Sequence, residues 1–147
     1  MPSAAKEIVI DRKPDEVFEF LANPVNDPQW RSGVLDLKQT SGVGVGARYA
    51  QTVKGPGGKH ISADIEITEF ELGRAIAFQT VTGPVRPRGR YLLTPADGGT
   101  RVRFELEAEV GGLKRLMAPM VQKTMNAEVG QLDRLKQVME TRAGRSI

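Results

Sequence analysis

A single histidine, His60, is the one imidazole this sequence offers for acid–base chemistry. It stands at the edge of the turn Gly55-Pro56-Gly57-Gly58, opposite in parity to Ile61, so strand alternation puts it on the solvent side. Asp64 and Glu66 share that outward parity. No Ser-His-Asp relay, carboxylate dyad or metal cluster can be assembled around them. The chain has no cysteine, which removes thiol nucleophiles, disulfides and thiolate metal sites. Gly42-Val43-Gly44-Val45-Gly46 lacks the Lys-Ser/Thr ending and the long following helix of a phosphate loop. Catalytic residues therefore stay unassigned, and neither a metal nor a cofactor is expected. What remains is positioning chemistry: Gln51, Thr80 and Tyr91 could orient or polarise a carbonyl inside an apolar enclosure.

Such an enclosure needs elements to build it. Residues 7–10 are short and β-branched and read as a first strand. Pro14 suits the first position of a helix, Asp15 and Glu16 suit its first turn, and Val17, Phe18 and Leu21 share one face. Lys13 is a poor capping residue for it. Asn23 before Pro24 closes this helix. A second short helix can be capped by Asp27 and opened by Pro28, with Gln29, Trp30 and Arg31 as its turn and Gly33 as its stop. The period then changes to two, giving strands from Val34, over 47–54, over 60–70 and over 74–82. Tyr49, Gln51 and Val53 fall on one face, as do Ile61, Ala63, Ile65 and Ile67, and Ile76, Phe78 and Thr80.

Asp97-Gly98 marks a hairpin turn. Centred there, the hairpin pairs Leu93 with Val102 and Tyr91 with Phe104. On the other face Arg90 meets Glu105, Arg88 meets Glu107 and Arg86 meets Glu109, a consistency that a one-residue slip would destroy. The arginines thus read as a solvated ladder of ion pairs, not a phosphate patch, and no nucleic-acid partner is expected. Beyond Gly111-Gly112 a helical stripe runs through Leu113, Leu116, Met117, Met120, Val121, Met125, Val129, Leu132, Leu135 and Met139. Pro119 should kink this helix or split off its first turn, and Gly130 should weaken it.

The 147 residues, 39% hydrophobic and 27% charged, suit one domain with a real core, its tails at 1–4 and 143–147 frayed. No apolar run is long enough for membrane insertion, no secretory signal is visible, and the expected location is the cytoplasm. A homodimer is compatible with the sequence. The order is α+β: one strand, two short helices, meandering antiparallel strands, and one long amphipathic helix that alone can cover the sheet's apolar face.

This order, with P-D-E-V-F-E-F-L-A-N-P and D-P-Q-W after it, V-G-A-R-Y, the hairpin T-P-A-D-G-G-T-R-V and the closing G-G-L-K-R-L-M-A-P-M and L-D-R-L-K, resembles the START-like or SRPBCC superfamily. Its polyketide cyclase/dehydrase-type branch is the nearest in look, and the motifs span nearly the whole chain. The resemblance implies a helix-grip fold, a curved antiparallel sheet of about seven strands wrapped around the C-terminal helix, with a cavity between them for a small apolar molecule. Members include lipid and hormone binders, transfer proteins, ring hydroxylase subunits and a few cyclases, and the fold does not decide among them.

Parity and the implied cavity nominate Trp30, Tyr49, Gln51, Ile65, Phe78, Thr80, Tyr91, Phe104, Met117, Met120, Val121 and Met125 as ligand-binding residues. Each has a plainer reading. Phe104 and the methionines suit ordinary core, Trp30 suits a helix anchor, and Gln51 suits a bond to a neighbouring side chain. The expected function is binding of a small apolar or aromatic molecule, lipid- or polyketide-like. The alternative is a cyclase or dehydratase acting in the same cavity without metal or covalent nucleophile. A third reading closes the cavity and uses the basic outer strand to dock an acidic partner.

Overall fold

The computed structural model describes residues 2–83 and 85–142, apart from the side chains of Pro56, Leu113 and Lys114. Met1 and the proposed tail 143–147 therefore lie outside the described residues, as does the side chain of Leu113. Strand β1 spans Ser3–Ile10, four residues earlier than the β-branched run suggests. Ser3 and Ala4 are not frayed, because they pair with Glu107 and Leu106 of β8. Helix α1 spans Pro14–Leu21, and Lys13 provides no side-chain cap, as expected. The second short helix is a 3-10 segment over Pro24–Gln29, capped by Asn23, whose side chain accepts from the Val25 amide. Asp27 does not cap it. Its carboxylate is buried and turned to other work.

Strands β2 (Val34–Ser41), β3 (Arg48–Lys54), β4 (His60–Ser62), β5 (Ile65–Glu71), β6 (Ala75–Thr80), β7 (Arg88–Ala96) and β8 (Gly99–Glu107) complete one antiparallel sheet. The order is β1-β8-β7-β6-β5-β3-β2, with β4 also on β3. The run 60–70 is thus two strands. At its break the Gln51 amide donates to Asp64 Oδ1 (3.1 Å), while the Gln51 side chain takes the Ala63 carbonyl (2.9 Å) that would have closed the ladder. The Asp64 carboxylate also accepts from the Ser62 hydroxyl (3.3 Å) while its backbone amide donates to Thr82 Oγ1 (2.7 Å), so it is a structural acid and not a free surface one.

The β7–β8 hairpin has the expected register, with Tyr91 opposite Phe104 and Leu93 opposite Val102. Its charged face is a correction in part. Arg88 pairs with Glu107, but Arg90 reaches across β6 to Glu69 (2.7 Å), and Glu105 binds Arg103 (2.8 Å). Arg86 precedes β7 and donates to the Gly83 carbonyl, so it has no rung opposite Glu109. Arg90, Ala77 and Glu69 lie in one cross-strand row, and the short Ala77 side chain lets the long arginine pass over it to the glutamate, while Arg103 takes Glu105 from two positions away on the same strand.

The C-terminal rod begins as a 3-10 segment, Gly112–Met117, then runs as α2 (Ala118–Gly130) and α3 (Leu132–Thr141). Pro119 sits in the first turn of α2 and Gly130 at the break, where the two weak points were expected. Gln122 exchanges hydrogen bonds with Ser3, Lys6 pairs with Asp133 (2.7 Å) and Glu140 accepts from the Asp11 amide (2.7 Å), fastening the rod along β1. The apolar stripe is buried only in its second half. Val129, Leu132, Leu135 and Met139 are core, whereas Leu116 is 91% exposed and Met120 45%.

Candidate functional site

The space between the rod and the sheet divides into a filled end and an open end. At the filled end Trp30, fully buried, meets the Tyr91 and Phe104 rings edge-on, with centroids 6.1 and 6.0 Å away. Tyr91 and Phe104, cross-strand partners, stack at 4.5 Å. At the open end lies a cavity of about 430 Å³, inside the range of ~300–1,000 Å³ usual for small-molecule sites. Its walls are Val34, Val53, Ile61, Val85, Leu106 and the rod residues Met117, Met120, Val121 and Met125. Gly89 opposes Phe78 in the ladder, and a Cβ there would strike the Phe78 ring and Leu106. The missing side chain is what lets that ring pack over the β7 backbone.

Seven of the twelve nominated residues line this cavity: Gln51, Phe78, Thr80, Met117, Met120, Val121 and Met125. Trp30, Tyr49, Ile65, Tyr91 and Phe104 do not; they are buried in the filled end or the sheet core, because ring interlock leaves no space beside them. Trp30 is packed against the Tyr91 and Phe104 rings and away from the cavity.

Sequence reasoning missed the polar partition between the two ends. Arg31, only 6% exposed, crosses it. Its Nε donates to Glu128, its Nη1 donates to Asp27 Oδ2 (2.8 Å) and more weakly to Gln51 Oε1 (3.4 Å), and its guanidinium lies 6.0 Å from the Phe78 ring centroid. Arg31, Gln51 and Glu128 line the cavity; Asp27 stands behind them. Thr80 is also buried and lines the cavity beside Arg31. Two signals could have found this group. Asp27 and Arg31 are four apart in a short helical turn, and Glu128 is an acid three residues past Met125 on the apolar stripe.

The electrostatics follow from burial. Burial drives the Asp27 carboxyl up to about 6, against the pull of Arg31. The Trp30 indole N–H makes no hydrogen bond of normal geometry, yet its proximity favours the Asp27 anion. Burial disfavours the Arg31 cation, but Glu128 and Asp27 outweigh it and hold the guanidinium charged. Burial, then the Asp27 charge, pushes the Tyr91 phenol well above its usual value, and its hydroxyl has no partner. The partition thus holds the charged Arg31 in the cavity wall with Glu128 beside it and Asp27 behind. Among the described residues no three His, Asp or Glu side chains are placed to share a metal ion.

The sequence matches over residues 1–140 the model of a family described as polyketide cyclase/dehydrase and lipid transport. The chain belongs to that family. Solved structures agree on the START-like helix-grip fold. The crystal structure of TTHA0849 from Thermus thermophilus superposes with a TM-score of 0.80 at 22% identity, covering 95% of this chain and 97% of that one. A START superfamily protein from Mycobacterium smegmatis gives 0.78 at 15%, covering 94% and 97%. The di-domain ARO/CYC BexL, from the BE-7585A biosynthetic pathway, gives 0.71 at 18%, covering 97% of this chain and 48% of its own. No curated protein matches the sequence. No helix among the described residues is long and apolar enough to cross a membrane.

Proposed function

We propose that the protein binds a small apolar molecule carrying an oxygen-rich or anionic end. The hydrocarbon part would lie among Val53, Ile61, Val85, Met120 and Val121, and the oxygen end against Arg31 and Thr80. One observation carries this reading: a charged, nearly buried guanidinium in the wall of a largely apolar cavity. Such a group is costly to bury and discriminates strongly for a ligand that completes its hydrogen bonds. Lipid-like carboxylates and polyketide-like carbonyl compounds both offer that pairing.

Calorimetric titration with decanoate and decanol tests it. The wild type should bind both, decanoate about tenfold more tightly, since one hydrogen bond to a charged donor contributes about 1.5–3 kcal/mol. Val121→Trp, which fills the cavity, should abolish binding of both, and Thr80→Val should weaken it. Binding of neither compound, or full binding by Val121→Trp, would reject the reading.

A second reading, a cyclase or dehydratase, draws support from the Asp27 carboxyl, whose value of about 6 lies near working pH. Arg31 would polarise a substrate carbonyl, while Tyr91, behind the wall, would take no part. A β-ketoacyl thioester left unchanged by the protein would exclude it.

A further inference from the structure

Three stretches that supply lining residues to the cavity, 54–62, 82–83 with 85–87, and 111–124, contain six lysines and arginines and no aspartate or glutamate. The other 15 basic residues share the rest of the chain with all 18 acidic ones. The mouth is therefore cationic on a molecule whose remainder is slightly anionic. Lys54, Lys59, Arg86, Arg115 and Lys123 are exposed, and none makes an ion pair among the described residues. On the sheet's outer face the opposite holds: Arg48, Arg88, Arg90, Arg101 and Arg103 are each matched to a glutamate. The one acid lining the cavity, Glu128, is taken by Arg31 at its inner end.

An apolar crest accompanies these free cations. Leu116 is 91% exposed on the 3-10 segment at the mouth, and Met120, one turn on, is 45% exposed. Exposed leucine ringed by unpaired cations, with no anions among them, is the composition that binds anionic lipid interfaces: hydrocarbon enters the headgroup layer while lysine and arginine stay at its charged surface. We infer that the mouth of the cavity docks on an anionic bilayer, with Leu116 inserted and Lys59, Arg86 and Arg115 against the lipid phosphates. This placement opens the cavity toward the membrane, and it does not rest on which molecule the cavity holds.

The test is co-sedimentation with vesicles of phosphatidylcholine alone and of equal parts phosphatidylcholine and phosphatidylglycerol. The protein should bind only the second, and less as salt rises. Each cation at such a surface is worth about fivefold in affinity, so Lys59→Ala/Arg86→Ala/Arg115→Ala should bind about 100-fold more weakly. Leu116→Ser should also lose binding. Lys13→Ala/Lys38→Ala/Arg134→Ala removes the same charge from exposed positions off the rim and should bind as the wild type does. An equal loss in that control, binding to neither vesicle, or equal binding to both would overturn the inference. So would capture by immobilised polyglutamate with none by vesicles, which would make an acidic protein the occupant.

Discussion

The two ends of the interior are built by the same strands and the same rod, yet one is solid and the other hollow. At the solid end three rings interlock, and Leu132, Leu135 and Met139 from α3 are essentially inaccessible. At the hollow end the inward positions carry valine, isoleucine and glycine, too short to meet across the gap, and the facing helix offers flexible methionines. The same inward parity therefore makes core or cavity depending on side-chain reach. Between the ends runs the Asp27–Arg31–Glu128 partition, whose charges are tolerable only because they satisfy one another.

That contrast should appear first as unequal stability. Phe104→Ala at the solid end should cost about 3–5 kcal/mol by urea unfolding, because the cavity it leaves cannot collapse. Val121→Ala, beside existing space, should cost less than about 1 kcal/mol. Similar losses would mean that the cavity is closed in solution.

The partition predicts a pH signature of intermediate size. The folded-state Asp27 carboxyl titrates near 6 rather than 3.8, so the folded protein holds this proton more tightly than the unfolded chain. Its stabilising contribution is complete below about pH 4 and is lost as pH rises through about 6. Relative to Asp27→Asn, the wild type should lose on the order of 3 kcal/mol between about pH 4 and pH 7. A constant difference across that range would place Asp27 in water.

The smallest effect belongs to the outer face. Arg88→Ala breaks an exposed pair with Glu107 and should change stability by less than about 1 kcal/mol, with the change shrinking in salt. A larger loss would give the ladder a structural weight that exposed pairs rarely have.

Local rules made much of this legible in advance. Asp97-Gly98 fixed the hairpin register, Pro14 fixed the start of α1, and Pro119 and Gly130 marked the breaks in the rod. What local rules could not supply was partnership across the chain. Arg31 looks like a surface residue of a short turn until Glu128, 97 positions away, is folded against it. Parity put Tyr91 and Phe104 inward correctly, but it carries no information about whether an inward ring faces a ligand or another ring. Arg90 reaches Glu69 over the short Ala77 between them, a second-neighbour contact that the hairpin register alone omits.

Methionine methyl groups report the central division most directly. Met117, Met120 and Met125 line the cavity, whereas Met139 is buried in the solid end. In a ¹³C-methyl-methionine spectrum titrated with decanoate, the first three signals should move together and saturate while Met139 stays in place. Movement of Met139 with the others, or no movement at all, would contradict a ligand space confined to the open end.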